Sequence, residues 1–198
     1  MEVFLLALRK GLTLTDVLIT VVIALVFAVI YSIWGGVYTM LQPLGLHLNE
    51  LVYGMWFIAA VVAYLIIRKP GVAIIAEFAA ASGETIFMLQ FDVILMIYGL
   101  LQGLACEIVF AIVKYKSTAL MVAVTAGVAA ALSTLPLDWY YGYLGQLETW
   151  NLMLMIGFRV LSGALIAGWL AHALYRGLGE TGVLKLVGAP APERSERL

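Results

Sequence analysis

The chain has 198 residues, of which 64% are hydrophobic and 12% charged, with a formal net charge of −1 and a mean hydropathy of +1.06. A soluble domain of this length could not hold so much apolar surface in water, and no nucleic-acid partner is expected. Apolar runs near the length needed to cross about 30 Å of hydrocarbon, far too continuous for barrel strands, predict an all-α membrane protein. The single cysteine, Cys106, excludes an intramolecular disulfide and a Cys-rich metal site, and none of the usual spacings for metal ligands occurs.

Residues 1–16, "MEVFLLALRKGLTLTD", read as a cytoplasmic N-terminal segment. The first apolar run follows with no small-residue cleavage site and is expected to stay in the mature protein. Polar breaks then divide the chain into six predicted spans: Val17–Met40, Leu51–Ile67, Val72–Met88, Val93–Val113, Ala119–Leu135 and Leu152–Tyr175. Together they form one membrane domain, 17–175. The charged, Pro-rich stretch "GAPAPERSERL" closes a tail, 176–198, whose end is expected to be disordered.

The basic residues test this parsing, because cytoplasmic loops collect Lys and Arg. With six crossings Arg9, Lys10, Arg68, Lys69, Lys114, Lys116, Arg176, Lys185, Arg194 and Arg197 share one side, which places both termini in the cytoplasm and leaves Arg159 as the exception. The other side carries Glu50, Glu84, Asp92, Asp138 and Glu148 with no basic residue in its loops. Such a face is what positive-inside sorting leaves behind, and it would also draw a cationic solute inward. Trp34, Trp56, Trp139 and Trp150 lie towards it, whereas only Trp169 lies near the cytoplasm, a bias that an interfacial belt alone does not produce.

Polar side chains within the spans carry the most information, since each costs roughly 2.5–3.5 kcal/mol at the helix centre on insertion scales. On the first span Ala24 and Ala28 are one turn apart, a small-residue face suited to helix contact, and Trp34 with Tyr38 forms a second pair about a quarter-turn away. On the third, Glu77 and Glu84 share a face with Ala80 and Ala81 between them. Glu77, the deeper one, is expected to pair with Arg159 of the last span or to keep a proton; Glu84, near the outer mouth, is expected to meet a solute. Tyr98 and Gln102 on the fourth span could complete a polar wall, and Glu107 points elsewhere as inter-helix glue.

An intramembrane enzyme is disfavoured: His47 and His172 fall on opposite sides, and neither HExxH nor GxSxG is present. No phosphate-binding loop of Walker type occurs, so any nucleotide chemistry belongs to other chains. A proton-coupled secondary transporter of a small cationic solute, relaying through Glu77, Glu84 and Glu107, is the alternative to a capture protein; no internal repeat supports it.

The stretch "NELVYGMWFIAAVVAYLIIRKPGVAIIAEFAAASGE", with its ordered ELVYG, RKPG and terminal GE, resembles the YkoE family of substrate-capture (S) components of energy-coupling factor (ECF) transporters, a similarity running over about residues 15–175. The resemblance implies a six-helix S-component bundle that gathers a vitamin outside the cell and delivers it to a coupling membrane protein (T component) with paired ATPase subunits. It implies thiamine or its hydroxymethylpyrimidine precursor as cargo, and it makes Ala24 and Ala28 the surface that meets the coupling subunit. A thiazolium cation joined to an aminopyrimidine needs a carboxylate, an amide and aromatic plates. Glu84, Gln102 and Tyr98 with Trp34, Tyr38, Tyr53, Trp56 and Trp139 supply them, and loops 41–50 and 136–151 are expected to cover the bound molecule.

Overall fold

The computed structural model describes residues 11–182 and 184. Arg9, Lys10, Lys185, Arg194, Arg197 and the expected disordered tail end lie outside the described residues. The first helix, α1 (Leu14–Leu41), begins three residues before the apolar run because Thr13 and Asp16 form a reciprocal cap: the Thr13 amide donates to Asp16 Oδ2 at 2.6 Å and the Asp16 amide to Thr13 Oγ1 at 3.3 Å. Short 3-10 turns (Gln42–Leu44) lead into a ten-residue 3-10 helix, Leu48–Phe57, continued by α2 (Ile58–Ile67). After the RKPG turn come α3 (Val72–Phe87), α4 (Val93–Ile112), α5 (Leu120–Ser133) and the short α6 (Leu135–Tyr140), in which Pro136 sits at a helix start that has no use for its missing N–H. The last rod is α7 (Thr149–Ser162), a π-helical stretch Gly163–Leu170, and α8 (Ala171–Glu180), so helix persists past the expected boundary at residue 175.

Five of these rods, Leu14–Leu44, Leu48–Ile67, Val93–Ile112, Leu120–Tyr140 and Thr149–Glu180, are long and apolar enough to span a bilayer. The remaining predicted span, the third, is α3, which has 16 residues and is about 24 Å long, and its two glutamates lower its hydropathy. It packs between α1 and α4. The basic residues of the RKPG turn meet α1 and α8 at one end: Lys69 reaches Asp16 at the start of α1 at 2.5 Å, and Arg68 donates to Tyr175 midway along α8 at 2.6 Å.

The second rod is the axis of the bundle, with every residue from Phe57 to Leu65 at most 4% exposed. It is broken where 3-10 gives way to α-helix, at Phe57 (φ −139°). A helix that starts in hydrocarbon presents amides no water can reach, and other spans must satisfy them. Tyr31 of α1 accepts from the Ala59 amide and Glu77 of α3 from the Ala60 amide, both at 3.1 Å, and the Tyr31 hydroxyl donates to the same carboxylate at 3.2 Å. Glu107 serves α3 likewise: it accepts from the amides of Gly71 (2.6 Å) and Ala73 (3.1 Å) and from Tyr115 Oη (2.8 Å).

Elsewhere the rods are held by contact so close that no side chain fits. A Cβ on Gly127 would stand 2.2 Å from the Gly163 carbonyl oxygen, and one on Gly54 would stand 2.4 Å from that of Ser162, whose hydroxyl also accepts from the Gly54 amide at 2.8 Å. The alanines of α1 follow the same logic, which corrects the sequence expectation for them. Ala24 and Ala28 are 3% and 0% exposed, and Ala28 lies so near α3 that a Cβ on Gly83 would come within 2.7 Å of its methyl. They pack α1 within its own chain and present almost no exposed surface to a partner subunit. The face α1 leaves open carries Val22, Leu25, Val26 and Ile33 instead.

Candidate functional site

At the end of the bundle opposite the basic turns, the rods spread around a cavity of about 490 Å³. The 3-10 form of Leu48–Phe57 matters here: at three residues per turn, Glu50, Tyr53 and Trp56 stand above one another and all line the cavity. Tyr38 and Trp56 meet edge to face with ring centroids 5.1 Å apart, and Tyr53 stands 6.0 Å from Trp56. Tyr98, Gly99 and Gln102 of α4 form another wall, and the segment after α6 contributes Tyr143, Leu144 and Leu147.

Glu84, near the end of α3, lines this cavity and is buried. Its Oε1 accepts from Trp56 Nε1 at 2.9 Å, whereas its buried Oε2 accepts from no described residue. Gln102 Nε2 donates to Tyr53 Oη at 3.2 Å, which leaves the amide oxygen as a further acceptor. The cavity therefore combines aromatic faces, a carboxyl oxygen without a donor and an amide.

The rest of the polar wall is organised by Arg159, which is 5% exposed. Its Nε donates to Glu50 Oε2 at 2.7 Å, and its Nη1 donates to Asp138 and, at 3.3 Å, to Thr134 Oγ1. The guanidinium carbon stands 4.1 Å above the Tyr53 ring. Tyr38 Oη donates to Glu50 at 2.6 Å and Tyr98 Oη to Asp138, so one cation ties together five elements.

Of the residues singled out from the sequence, Glu84, Gln102, Tyr98, Tyr38, Tyr53 and Trp56 converge on this one cavity. Trp34 does not reach it; its Nε1 donates to the Val52 carbonyl at 2.9 Å and pins α1 to the 3-10 helix. Trp139 does not either: it is 61% exposed on α6, where an indole suits a membrane boundary. The expected Glu77–Arg159 pair is absent. Glu77 is drawn to the Ala60 amide near the start of α2 and to the Tyr31 hydroxyl, and Arg159, nearer the cavity, meets Glu50 and Asp138. In the sequence Glu50 and Asp138 read only as part of an acidic face. The signal that could have found their role is Arg159 itself, the one basic residue outside the cytoplasmic pattern, at a depth those two acids can reach.

Comparison with known proteins agrees with this architecture. Residues 15–133 match the family described as "ABC-type cobalt transport system, permease component". The chain is 33% identical over 176 residues to the "Putative HMP/thiamine permease protein YkoE" of Bacillus subtilis (strain 168), covering 88% of each protein. Among solved structures it is similar to one described as "Crystal structure of an S-component of ECF transporter", with 32% identity, a TM-score of 0.83 and coverage of 88% of this chain and 89% of the other. These relatives are transport components and not enzymes, and with its apolar helices this chain is likewise a multi-pass protein of the bacterial cytoplasmic membrane. With identity and fold extending over nearly the whole described length, the chain belongs to the YkoE family of S components, the substrate-binding subunits of ECF transporters.

Proposed function

We propose that this subunit captures thiamine or its hydroxymethylpyrimidine precursor from outside the cell and delivers it, through a T component, to import driven by paired ATPase subunits. The observation that carries the reading is Glu84 Oε2, a buried carboxyl oxygen with no donor among the described residues, on the wall of an aromatic cavity. Burying such a group costs free energy unless a ligand supplies what is missing. An aminopyrimidine offers N–H donors to Glu84 and to the Gln102 amide oxygen, and the rings of Tyr38, Tyr53 and Trp56 offer faces for a flat cation. A volume of about 490 Å³ falls within the ordinary range for small-ligand pockets, about 300–1,000 Å³.

In this reading α3 also crosses the membrane, making six crossings, the basic turns and both termini face the cytoplasm, and the cavity opens outward. Segments 41–50 and 136–151, which supply His47, Asn49, Tyr143 and Leu147 to the cavity wall, close over the cargo before the loaded protein reorients against its partner. The relay reading draws no support from Glu107, both of whose oxygens are occupied in capping α3.

Isothermal titration of the purified chain in lipid nanodiscs with thiamine and with hydroxymethylpyrimidine tests the proposal. Saturable binding is expected, and Glu84→Gln should weaken it at least about tenfold, or about 1.4 kcal/mol. Equal affinity in the variant would remove Glu84 from the pocket. Uptake by the isolated chain under a proton gradient, without ATP, would overturn capture.

A further inference from the structure

Arg159 presents a problem for a pocket that takes neutral or cationic heterocycles, because a guanidinium in a cavity wall is the group that recognises phosphate. A phosphate ester of such an alcohol would carry about −1.5 to −2 charge at neutral pH. Resting on the capture reading above, we infer that Glu50 and Asp138 determine specificity by masking Arg159, so that the pocket accepts the free alcohol and rejects its phosphate ester.

The geometry supports this at two of the three guanidinium nitrogens: Glu50 Oε2 accepts from Arg159 Nε at 2.7 Å, and Asp138 Oδ2 accepts from Nη1, which also meets Thr134. Nη2 has no acceptor among the described residues, so it is the charge and not every donor that is masked. The remaining face of the cation rests on the Tyr53 ring at 4.1 Å. Both carboxylates are fixed from behind, Glu50 by Tyr38 at 2.6 Å and Asn49 at 3.3 Å, Asp138 by Tyr98, so neither can swing aside without losing its own partners. Along the cavity wall three carboxyl groups, Glu50, Glu84 and Asp138, stand against one guanidinium and His47. An entering phosphoryl group would have to displace a carboxylate from Arg159 and stay within the field of the others.

The mask also accounts for why a charge so costly at this depth is retained. Paired, Arg159 joins α7 to the 3-10 helix and to α6 with its charge offset by two carboxylates, and electrostatic discrimination of this kind works by placing like charge against the wrong ligand.

The test is a titration series on the full chain in nanodiscs: thiamine, thiamine monophosphate, hydroxymethylpyrimidine and hydroxymethylpyrimidine phosphate. Each ester is expected to bind at least about a hundredfold more weakly than its alcohol. Glu50→Gln and Asp138→Asn, made singly, should each narrow that ratio at least about tenfold, since either leaves Arg159 with one compensating charge fewer. Glu148→Gln, on the exposed loop outside the cavity, should leave the ratio unchanged and so separates local masking from the diffuse field of the acidic face. A variant that loses its single thermal transition is set aside in favour of the other, and the ratio for the native chain is read independently of both. Esters and alcohols binding alike to the native chain would overturn this inference while leaving capture intact. A ratio that Glu148→Gln narrows as much as Glu50→Gln would overturn it too. Absence of binding by the whole series to folded protein would overturn the capture reading and this inference together.

Discussion

Glu77 and Glu84 lie on one face of α3, two turns apart, both buried, and they do different work. Around Glu77 the bundle is closed: one oxygen accepts from a tyrosine hydroxyl and a helix-opening amide, and alanine and glycine bring the rods into backbone contact. Around Glu84 the same rods part to form a cavity, and one oxygen is left facing it. Each carboxyl group keeps one buried oxygen without a donor among the described residues, Glu77 Oε1 as well as Glu84 Oε2, but only Glu84 lines a cavity from which a ligand could supply that donor. The comparison extends to Arg159, whose two carboxylates are buried like Glu84 but fully engaged.

The contrast can be broken in several places. The largest effect on stability is expected at Arg159→Leu, which strands Glu50 and Asp138 as buried charges; a loss of about 3–5 kcal/mol should appear in unfolding followed by tryptophan fluorescence in mixed micelles. Glu77→Leu comes next, leaving the Ala60 amide and the Tyr31 hydroxyl without their acceptor at about 1–3 kcal/mol each, whereas Glu77→Gln retains a carbonyl oxygen in place and should restore most of the loss. If Glu77→Gln were as damaging as Glu77→Leu, charge and not capping would be its function. Gly127→Ala tests the closed half without touching an acid, and its Cβ against the Gly163 carbonyl should cost about 1–3 kcal/mol. Glu84→Gln should change stability by less than about 1 kcal/mol, because the amide oxygen can still accept from Trp56, while binding falls. Trp139→Ala, at the exposed rim, should alter neither stability nor affinity beyond about 0.5 kcal/mol.

Much of the fold was legible because the constraint that sets it is local. A run of apolar residues bounded by Thr13–Asp16, RKPG, Asp92 or KYKS can only be a helix in hydrocarbon, and the observed bounds fall within a few residues of those expected. Where helix started early or ran late, at Leu14 and beyond Tyr175, capping and continuing hydrogen bonds extended it past the hydrophobic signal. The break at Phe57 was not legible: "ELVYGMWFIAAVV" has no proline there, and the switch from 3-10 to α depends on the acceptors that Tyr31 and Glu77 bring from other rods. Pairing was misread for the same reason. Glu77 and Arg159 are opposite charges with a plausible separation, but the competing partners, backbone amides for one and two acids for the other, come from elements distant in sequence.

By itself the sequence determined that this chain is a helical bundle in a membrane, which residues could not face lipid, and that a carboxylate, an amide and aromatic rings lie at similar depth. Those follow from transfer free energies and helical spacing, which depend only on residue type and order. Tertiary structure alone decided which of the two glutamates opens on a cavity, which alanines were sealed inside, and which acids neutralised the buried arginine. Hydrogen bonds are short and directional, and in hydrocarbon every polar group takes whichever partner the neighbouring helices bring within reach.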